Sequence, residues 1–360
     1  MHPRHAIRLL VGSTCGLSLI GLVYIASAAS YWSSIHYPDQ VPFYLKQLLY
    51  LVIGISVFLW MQRQRIPVAI IPFLYIIGLV GLLTVWIPGL GVVRNGARGW
   101  IALAGIHFQP AELAKLSTLL FVAKLVAEKR SLLMQLAVVG IPGTLFMLQP
   151  DFGSTFLLLA GFGCLLYVGG ISFKLLGVAA IVGGVSFAAL ILSAPYRLQR
   201  ITAFLDPWKD PLGTGFQAIQ SLLAIGPAGW MGWGFSESRQ KLLYLPEPQN
   251  DFIFALIVEE SGFFLGLLIC ILYGVWGYSG FFLASTLRPS FYGYAIVSLV
   301  SVLLIQAFVN LGVVTGVLPV TGVTLPFISY GGTSLVICWI LTAMIIALYG
   351  SGKEAEEWKK

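Results

Sequence analysis

The chain has 360 residues, of which 58% are hydrophobic and 10% are charged, and its formal net charge is +7. Its mean hydropathy of +0.90 is far above that of a water-soluble domain, so soluble enzymes are excluded as a class. The composition predicts an all-α integral membrane protein. Its positive charge is explained by membrane topology and anionic lipid, and no nucleic-acid partner is expected.

Apolar windows long enough to cross a bilayer as helices, roughly 20 residues each, follow one another along the chain. A cleavable signal peptide is not expected, because the first apolar run is itself as long as a span. We predict one polytopic membrane domain over 1–360 with about ten transmembrane helices, at 8–30, 42–61, 66–88, 110–127, 131–148, 151–170, 173–194, 251–278, 291–315 and 329–350.

The basic residues are unevenly distributed between the predicted loops, which sets the orientation. The short loops on one side carry only Lys46, Arg94 and Arg98. The other side is predicted to be cytoplasmic, includes both termini, and carries Arg4, Arg8, Arg63, Arg65, Lys124, Lys129, Arg130, Lys174, Arg288, Lys353, Lys359 and Lys360. The long loop 195–250, between the seventh and eighth spans, is then extracytoplasmic.

Cysteine and histidine give no metal-binding pattern. All four cysteines fall inside apolar spans, and neither they nor the histidines have the spacing of a metal site. We predict that the cysteines pack as small apolar side chains and that they form no metal centre.

Two segments between spans are unusual. The loop 195–250 is aromatic-rich and longer than a connection requires, which favours a functional element. Within it, an amphipathic helix on the outer surface, or a re-entrant element, is predicted from the shared face of Phe216, Ile219, Leu222 and Leu223. The segment 314–335 has no charge but several prolines and glycines. Irregular backbone survives at membrane depth only inside protein or beside a watery cavity, so this segment is predicted to line an outward-opening cavity.

Acidic residues in or at the edge of spans indicate function by default. Glu112 and Lys115 are three residues apart on one helical face, so a structural ion pair is an equal alternative to a substrate site. Asp151 begins a predicted span and could simply complement the helix dipole. Glu259 and Glu260 lie inside the eighth predicted span, where structural and functional roles are equally open.

Asp251 follows two prolines and directly precedes an apolar run, in "YLPEPQNDFIFA". The prolines extend the approach and Asn250 is the predicted N-cap, so the carboxylate is expected at a rigid position on the outer surface. Complementing the helix dipole is its alternative role. An acid beside several cations on one membrane face suits an anionic, lipid-linked substrate; those cations are Arg197, Arg200, Lys209, Arg239 and Lys241.

Four stretches identify a family resemblance that covers nearly the whole chain. They are "NGARGWIALAGIHFQPAELAKLS" at 95–117, "LQPDFGSTFLL" at 148–158, the long stretch 196–262 ending in "DFIFALIVEESG", and "NLGVVTGVLPVTGVTLPFISYGGTSL" at 310–335. In order and spacing they resemble the SEDS family of FtsW, RodA and SpoVE, and the FtsW/SpoVE branch most closely.

The resemblance implies a peptidoglycan glycosyltransferase of the bacterial inner membrane, with ten helices and an active site facing outward. Such an enzyme polymerises lipid II into glycan strands of the cell wall together with a class B penicillin-binding protein. The family's catalytic acid corresponds to Asp251, and further important positions correspond to Glu112, Lys115 and Asp151. Here Gln249 and Asn250 stand where the family commonly has His and Thr, which affects fine tuning of the site.

The implied reaction inverts the anomeric centre, so it requires a base for the attacking sugar hydroxyl and stabilisation of the leaving pyrophosphate. Asp251 is the predicted base. The pyrophosphate could be held by a divalent cation, Mg²⁺ or Mn²⁺, or by basic side chains, for which the candidates are Arg94, Arg98, Lys115, Arg197, Arg200 and Lys241.

Three other functions remain open from the sequence. A lipid II flippase or transporter would share the spans and the broken helix. A non-catalytic scaffold of a division complex would share the spans alone. An elongation-type, RodA-like polymerase, which determines cell shape, would share the reaction itself. The main prediction is septal wall synthesis in cell division or sporulation.

Overall fold

The computed structural model describes residues 1–36, 41–94, 97–103, 106–172, 174–175, 177–178, 181, 183–184, 202–241 and 249–358. Its principal helices are α1 (Pro3–His36), α2 (Phe43–Met61), α3 (Ile71–Thr84), α4 (Pro110–Ala127), α5 (Leu132–Leu148), α6 (Phe152–Val168), α7 (Phe216–Ile225), α8 (Ile253–Ser285), α9 (Phe291–Val314) and α10 (Gly332–Glu357).

The helices confirm the predicted class, an all-α membrane protein. Among the described residues, helices occupy nine of the ten predicted spans; the seventh, 173–194, lies largely outside them. Five of these helices, α1, α2, α8, α9 and α10, are long and apolar enough to cross a membrane. Two of the others, α5 and α6, are shorter apolar helices, as is the segment Val68–Thr84 that contains α3.

Helix α4 lies at the centre of the bundle. It packs against α3, α5, α6, α9 and α10, and most of its residues are buried on every side. A helix that is enclosed by protein does not need a lipid-compatible surface. This position explains how α4 accommodates Glu112, Lys115 and Lys124 although the neighbouring spans are almost free of charge.

A small antiparallel sheet precedes α4, where the sequence analysis expected only a loop. Strand β1 is Gly91–Arg94, β2 is Ala97–Leu103 and β3 is Ile106–Phe108, in the order β1-β2-β3. Strands of three to seven residues are too short for the alternation of apolar and polar residues to distinguish them from loops. The sheet is tied to the start of α10, because Thr333 Oγ1 donates a hydrogen bond to the His107 carbonyl (2.9 Å).

Helix α7 occupies the predicted amphipathic stretch, but its buried face differs from the predicted one. Ile219, Ser221 and Ala224 are buried, whereas Leu222 and Leu223 are exposed. Ser221 Oγ donates to the Val314 carbonyl at the end of α9 (2.7 Å). Small and polar side chains permit this close approach, while Leu223 is exposed and Leu222 lies beside Gly316.

Helix α8 is broken at Gly262, which has φ +74° and ψ −172°. The neighbouring loop satisfies the backbone groups that the break releases. Trp233 N–H donates to the Glu259 carbonyl (2.9 Å) and Phe263 N–H donates to the Gly229 carbonyl (3.0 Å). Residues 229–234 of the outer segment are therefore hydrogen-bonded into the helix. The part after the break, 263–285, is by itself long enough to cross a bilayer.

We expect Gly262→Ala to destabilise the protein strongly. The φ and ψ of Gly262 lie in a region that is essentially restricted to glycine and costs another residue about 1–3 kcal/mol, and a Cβ at this position would lie 2.3 Å from the Trp230 carbonyl oxygen. The thermal unfolding midpoint in detergent should fall. The control is Gly274→Ala in the same helix, where a Cβ meets nothing within 4 Å. Equal midpoints for the two variants would contradict the proposed close fit of the loop.

The charge-free segment between α9 and α10 is irregular, as its prolines and glycines predict. It runs from Thr315 to Gly331 without a helix or strand. Neighbouring groups satisfy its backbone, because Leu318 N–H donates to the Gly312 carbonyl (2.9 Å) and Leu325 N–H donates to Ser329 Oγ (2.8 Å). The cavity expected beside it stays a prediction.

Candidate active site

Asp251 lies in a turn that is held at three successive carbonyl groups. Tyr330 N–H donates to the Gln249 carbonyl (2.8 Å). Ser329 Oγ donates to the Asn250 carbonyl (2.8 Å), and Asn310 Nδ2 donates to the Asp251 carbonyl (2.7 Å). A buried backbone carbonyl that is paired in this way has little freedom to move. The turn is therefore fixed by α9 and by the segment before α10.

The prediction that Asn250 caps helix α8 is wrong. The helix begins at Ile253, and Phe252 occupies the N-cap position without a side-chain hydrogen bond. The two residues before Phe252 belong to the turn, whose carbonyls are bonded from outside the helix. Asp251 thus precedes the helix by two positions, and its location depends on tertiary contacts rather than on a local cap.

The partly buried carboxylate of Asp251 faces Gly322. A Cβ built on Gly322 would lie 3.7 Å from Asp251 Oδ2, and the φ of this glycine is +73°. Glycine adopts that conformation without the steric cost of a side chain. The glycine therefore lets the charge-free segment turn beside the carboxylate.

Asn310 connects three parts of the site and is buried. Its Nδ2 donates both to the Asp251 carbonyl and to the Val323 carbonyl, each at 2.7 Å. One amide nitrogen has two donors, and both are used here. Asn310 thus joins α9, the turn of Asp251 and the segment that contains Gly322.

We expect Asn310→Leu to lower both stability and activity. It leaves the buried Val323 carbonyl and the partly buried Asp251 carbonyl without this donor, at a cost of about 1–3 kcal/mol for a buried group. The thermal midpoint should fall, and polymerisation, the activity that the family resemblance implies, should fall per folded molecule because Asp251 is released. The control is Ser298→Ala in the same helix, since among the described residues Ser298 Oγ bonds only to its own helix, at the Ala295 carbonyl (2.8 Å). A normal activity for Asn310→Leu would contradict the positioning role.

Lys115 is an almost completely buried cation with two partners. Its exposed fraction is 1%. Nζ donates to Glu112 Oε1 at 3.1 Å and to Gln306 Oε1 at 3.2 Å. Gln306 Nε2 in turn donates to the Thr324 carbonyl (3.1 Å). The pair predicted from the spacing of Glu112 and Lys115 is present, and it extends across α9 to the charge-free segment.

Asp151 is the N-cap of α6. Its Oδ1 accepts from the Ser154 N–H (2.9 Å) and its Oδ2 accepts from Ser154 Oγ (2.7 Å). This arrangement realises the helix-start role that the sequence analysis kept as an alternative. Helix α6 packs against α4, which carries Glu112 and Lys115, so the structure places these three residues in one neighbourhood.

Residues 322–324 join these acidic positions. Gly322 lies beside the Asp251 carboxylate. Val323 lies against the start of α6, where a Cβ on Gly153 would be 2.7 Å from Val323 Cγ2. The Thr324 carbonyl accepts a hydrogen bond from Gln306 Nε2, and Oε1 of the same amide accepts one from Lys115. Three predicted site residues from separate spans are therefore connected through one short piece of irregular backbone.

The predicted cations are placed very differently from one another. Lys241 is buried, bonds to Ser236 Oγ (2.8 Å) and pairs with Glu260 (3.6 Å). Arg98 is exposed on β2. Arg94 ends β1, but its side chain is outside the described part of the structure, as are Arg197 and Arg200 entirely.

Glu259 and Glu260 anchor the outer segment to α8. Glu259 Oε1 accepts from the Arg239 N–H (3.0 Å). Glu260 Oε1 accepts from Ser27 Oγ of α1 (2.6 Å) and pairs with Lys241. Both carboxylates are thus engaged in holding the fold together around the break in α8.

Gln306 and Asn310 were not predicted from the sequence as site residues. They are four residues apart in α9 and therefore share one helical face. Two amide side chains within an otherwise apolar helix were the available signal, because polar residues inside a membrane span require partners and are frequently functional. Their partners, the Asp251 turn and Lys115, lie far away in the sequence.

Together these features define a polytopic helical membrane protein with a rigid acidic site at one end of its bundle. The FtsW/RodA/SpoVE family profile, described as cell cycle protein, matches residues 8–353, and the chain belongs to this family. The predicted family is thereby confirmed.

Named relatives support the same branch. The chain is 39% identical to stage V sporulation protein E of Bacillus subtilis, over 94% of this chain and 95% of that protein. It is 36% identical to a probable peptidoglycan glycosyltransferase FtsW of Legionella pneumophila, over 94% of this chain and 89% of that protein.

Two solved structures have a similar fold. A chain of a peptidoglycan synthase complex, solved to describe the coordination of polymerization and crosslinking, has a TM-score of 0.77 at 32% identity and covers 95% of this chain and 97% of that chain. The rod shape determining protein RodA of Thermus thermophilus has a TM-score of 0.71 at 24% identity, with 95% and 96% covered. The latter likeness concerns the fold alone.

Proposed function

We propose that this protein is a peptidoglycan glycosyltransferase that polymerises lipid II into glycan strands for septal wall synthesis in division or sporulation. The observation that carries the proposal is the turn of Asp251, which is bonded at three successive carbonyls. Preorganisation of this kind is what an acid or base needs if it is to meet a reacting group at a fixed distance. Membership of the family supplies the reaction class.

Asp251 acts as the general base in this mechanism. It accepts the proton of the attacking GlcNAc 4-hydroxyl while the oxygen forms a bond to the anomeric carbon of the second lipid II. The bond from that carbon to the pyrophosphate oxygen breaks, and polyprenyl pyrophosphate leaves. The product has inverted configuration, so a single displacement is sufficient and a covalent enzyme intermediate is not needed.

The leaving pyrophosphate is assigned first to the exposed cations. Arg98 is exposed on the sheet near the start of α4, and Arg94, Arg197 and Arg200 stay candidates from the sequence. Lys115 and Lys241 are buried and already paired, so we assign them positioning roles. The described residues contain no group of three or more His, Cys, Asp or Glu that could hold a metal ion, and no step is assigned to Mg²⁺ or Mn²⁺.

Asp251 faces the outside of the cell in this proposal, while both termini face the cytoplasm. The distribution of basic residues between the loops supports this orientation. The proposed partner is a class B penicillin-binding protein, which crosslinks the strands. The solved complex of polymerization and crosslinking concerns a similar chain and supports such a pairing.

The rival functions are less well supported. A transporter needs ionisable groups that are available for coupling near the bilayer centre, yet Glu259 and Glu260 are bound to the outer segment and to α1. A pure scaffold would not require a turn fixed at three carbonyls. An elongation-type polymerase shares the chemistry and differs only in its cellular partner.

The experiment that tests the function uses purified protein with its cognate transpeptidase and lipid II. Glycan strands in solution are the expected product. A matched assay with vesicles that contain the protein measures transfer of lipid II between leaflets. Glycan strands without leaflet transfer would support the polymerase. Leaflet transfer without strands would establish the transporter. If neither is observed, the scaffold is the remaining function.

A further inference from the structure

A cleft of about 220 Å³ opens between the ends of α4, α5 and α6. Its wall includes Val126, Lys129, Arg130, Gln135, Leu166 and Ile171. Helix α4 begins at the acidic site and reaches the cleft at its other end. The 14 residues from Lys115 to Lys129 correspond to roughly 20 Å of helix. The cleft is therefore separate from the site of Asp251, on the predicted cytoplasmic face.

Positive charge surrounds the cleft. Lys129 and Arg130 line it, and it lies at the start of α5, where the helix dipole is positive, whereas the C-terminal ends of α4 and α6 beside it are negative. Glu128 neutralises part of this charge through Arg130 Nε (3.1 Å) and Lys124 Nζ (3.8 Å). Lys129 takes part in neither contact. The basic side chains around the cleft outnumber its single carboxylate, and this net positive charge favours an anionic ligand.

Gln135 contributes a buried acceptor that lacks a partner within the described structure. Its Nε2 donates to the Arg130 carbonyl (3.0 Å), which fixes the orientation of the amide. Its Oε1 is buried and has no hydrogen-bond partner there. An acceptor left in this state is costly, and a hydroxyl or ammonium donor of a ligand would satisfy it once a small movement of the enclosing side chains opens it to the cleft. The wall of the cleft thus offers cations together with an acceptor.

The backbone conformation of Lys129 is a second observation that points to a ligand site in the cleft. Its φ is +52°, and it occupies the position after α4 where glycine is usual. Arg130 N–H donates to the Leu125 carbonyl (2.9 Å) and Lys129 N–H donates to the Val126 carbonyl (3.0 Å), which is the Schellman arrangement. A lysine is strained here where a glycine is not. Strain that persists at a cleft is consistent with a side chain in use.

We propose that this cleft binds the headgroup of an anionic phospholipid that carries a free hydroxyl, such as phosphatidylglycerol. The phosphate lies beside Lys129 and Arg130, and a headgroup hydroxyl donates to Gln135 Oε1. The apolar wall from Val126, Leu166 and Ile171 receives the glycerol and upper acyl chain. Basic pockets between helices at this face of a membrane are suited to such headgroups. This proposal does not depend on the proposed reaction.

The test is lipid-dependent thermal unfolding of the purified protein in a neutral detergent. Phosphatidylglycerol should raise the midpoint of the wild type in a saturable manner, and phosphatidylcholine should not. Lys129→Gly removes the cation in a conformation that glycine prefers, so the lipid-free midpoint should be unchanged or higher. Its apparent affinity for phosphatidylglycerol should be about fivefold weaker, as expected for the loss of one basic contact.

Two further variants make the result specific. Arg63→Gln removes an exposed cation of the predicted cytoplasmic face outside the cleft and should behave like the wild type. The wild type should bind phosphatidylglycerol more tightly than phosphatidic acid, whose headgroup lacks the glycerol hydroxyl, and Gln135→Leu should abolish this preference. Equal weakening by Arg63→Gln, or equal stabilisation by phosphatidylcholine, would overturn the site. Equal stabilisation by inorganic phosphate would overturn the lipid assignment in favour of a free anion.

Discussion

Replacing Asp251 with asparagine is expected to reduce lipid II polymerisation by about 10²–10⁴-fold, the usual contribution of a general base. Asparagine has nearly the same shape but cannot accept the proton of the sugar hydroxyl. The three hydrogen bonds that hold the turn use backbone carbonyls of Gln249, Asn250 and Asp251, and the substitution leaves them in place. The thermal midpoint should therefore change little. Strand formation by the purified protein with its transpeptidase measures the effect.

The control for this prediction is Asp206→Asn in the same outer segment. Asp206 pairs with Lys209 at 3.6 Å, and both side chains are substantially exposed, at 43% and 78%. Such surface pairs contribute about 0–1 kcal/mol, so normal activity and stability are expected. Full activity of Asp251→Asn at a normal midpoint would remove the base assignment while leaving the family function intact.

The sequence predicted the fold well because apolar length reports directly on membrane spans. Helices α1, α2, α8, α9 and α10 follow from composition alone, since a lipid-facing helix must be apolar over its whole length. The break in α8 could not be predicted in this way. Gly262 is one glycine among 40 in the chain, and only the approach of the loop at Trp230 distinguishes it.

The candidate site was predicted less completely, because its geometry depends on contacts between distant residues. The acids Glu112, Asp151 and Asp251 could be selected individually as charges at span ends. Nothing local indicated that residues 322–324 connect them, because the contacts come from backbone carbonyls, a glycine and one apolar side chain. For the same reason the assignment of Asn250 as a helix cap failed. Local propensity proposed a cap, whereas Ser329 and Asn310 bind the carbonyls of the turn.

The prediction with the second largest effect is that Lys115→Met destabilises the protein by about 3–5 kcal/mol, the cost of removing one partner from a buried ion pair. Methionine fills a similar volume, so the loss is electrostatic rather than a cavity. Glu112 and Gln306 Oε1 both lose their donor, and Glu112 is left as a carboxylate with 12% exposure. The thermal unfolding midpoint of the purified protein measures the loss.

The double variant Lys115→Met with Glu112→Gln separates the ion pair from other functions of the lysine. If the cost comes from an uncompensated carboxylate, neutralising Glu112 should recover a large part of the stability. Lys124→Met in the same helix is the matched control, because its pair with Glu128 is longer at 3.8 Å and more exposed. It should cost no more than about 1 kcal/mol. Recovered stability without recovered polymerisation would assign Lys115 a positioning role through Gln306 and Thr324. A double variant as unstable as Lys115→Met alone would instead show that the ion pair is not what Lys115 contributes.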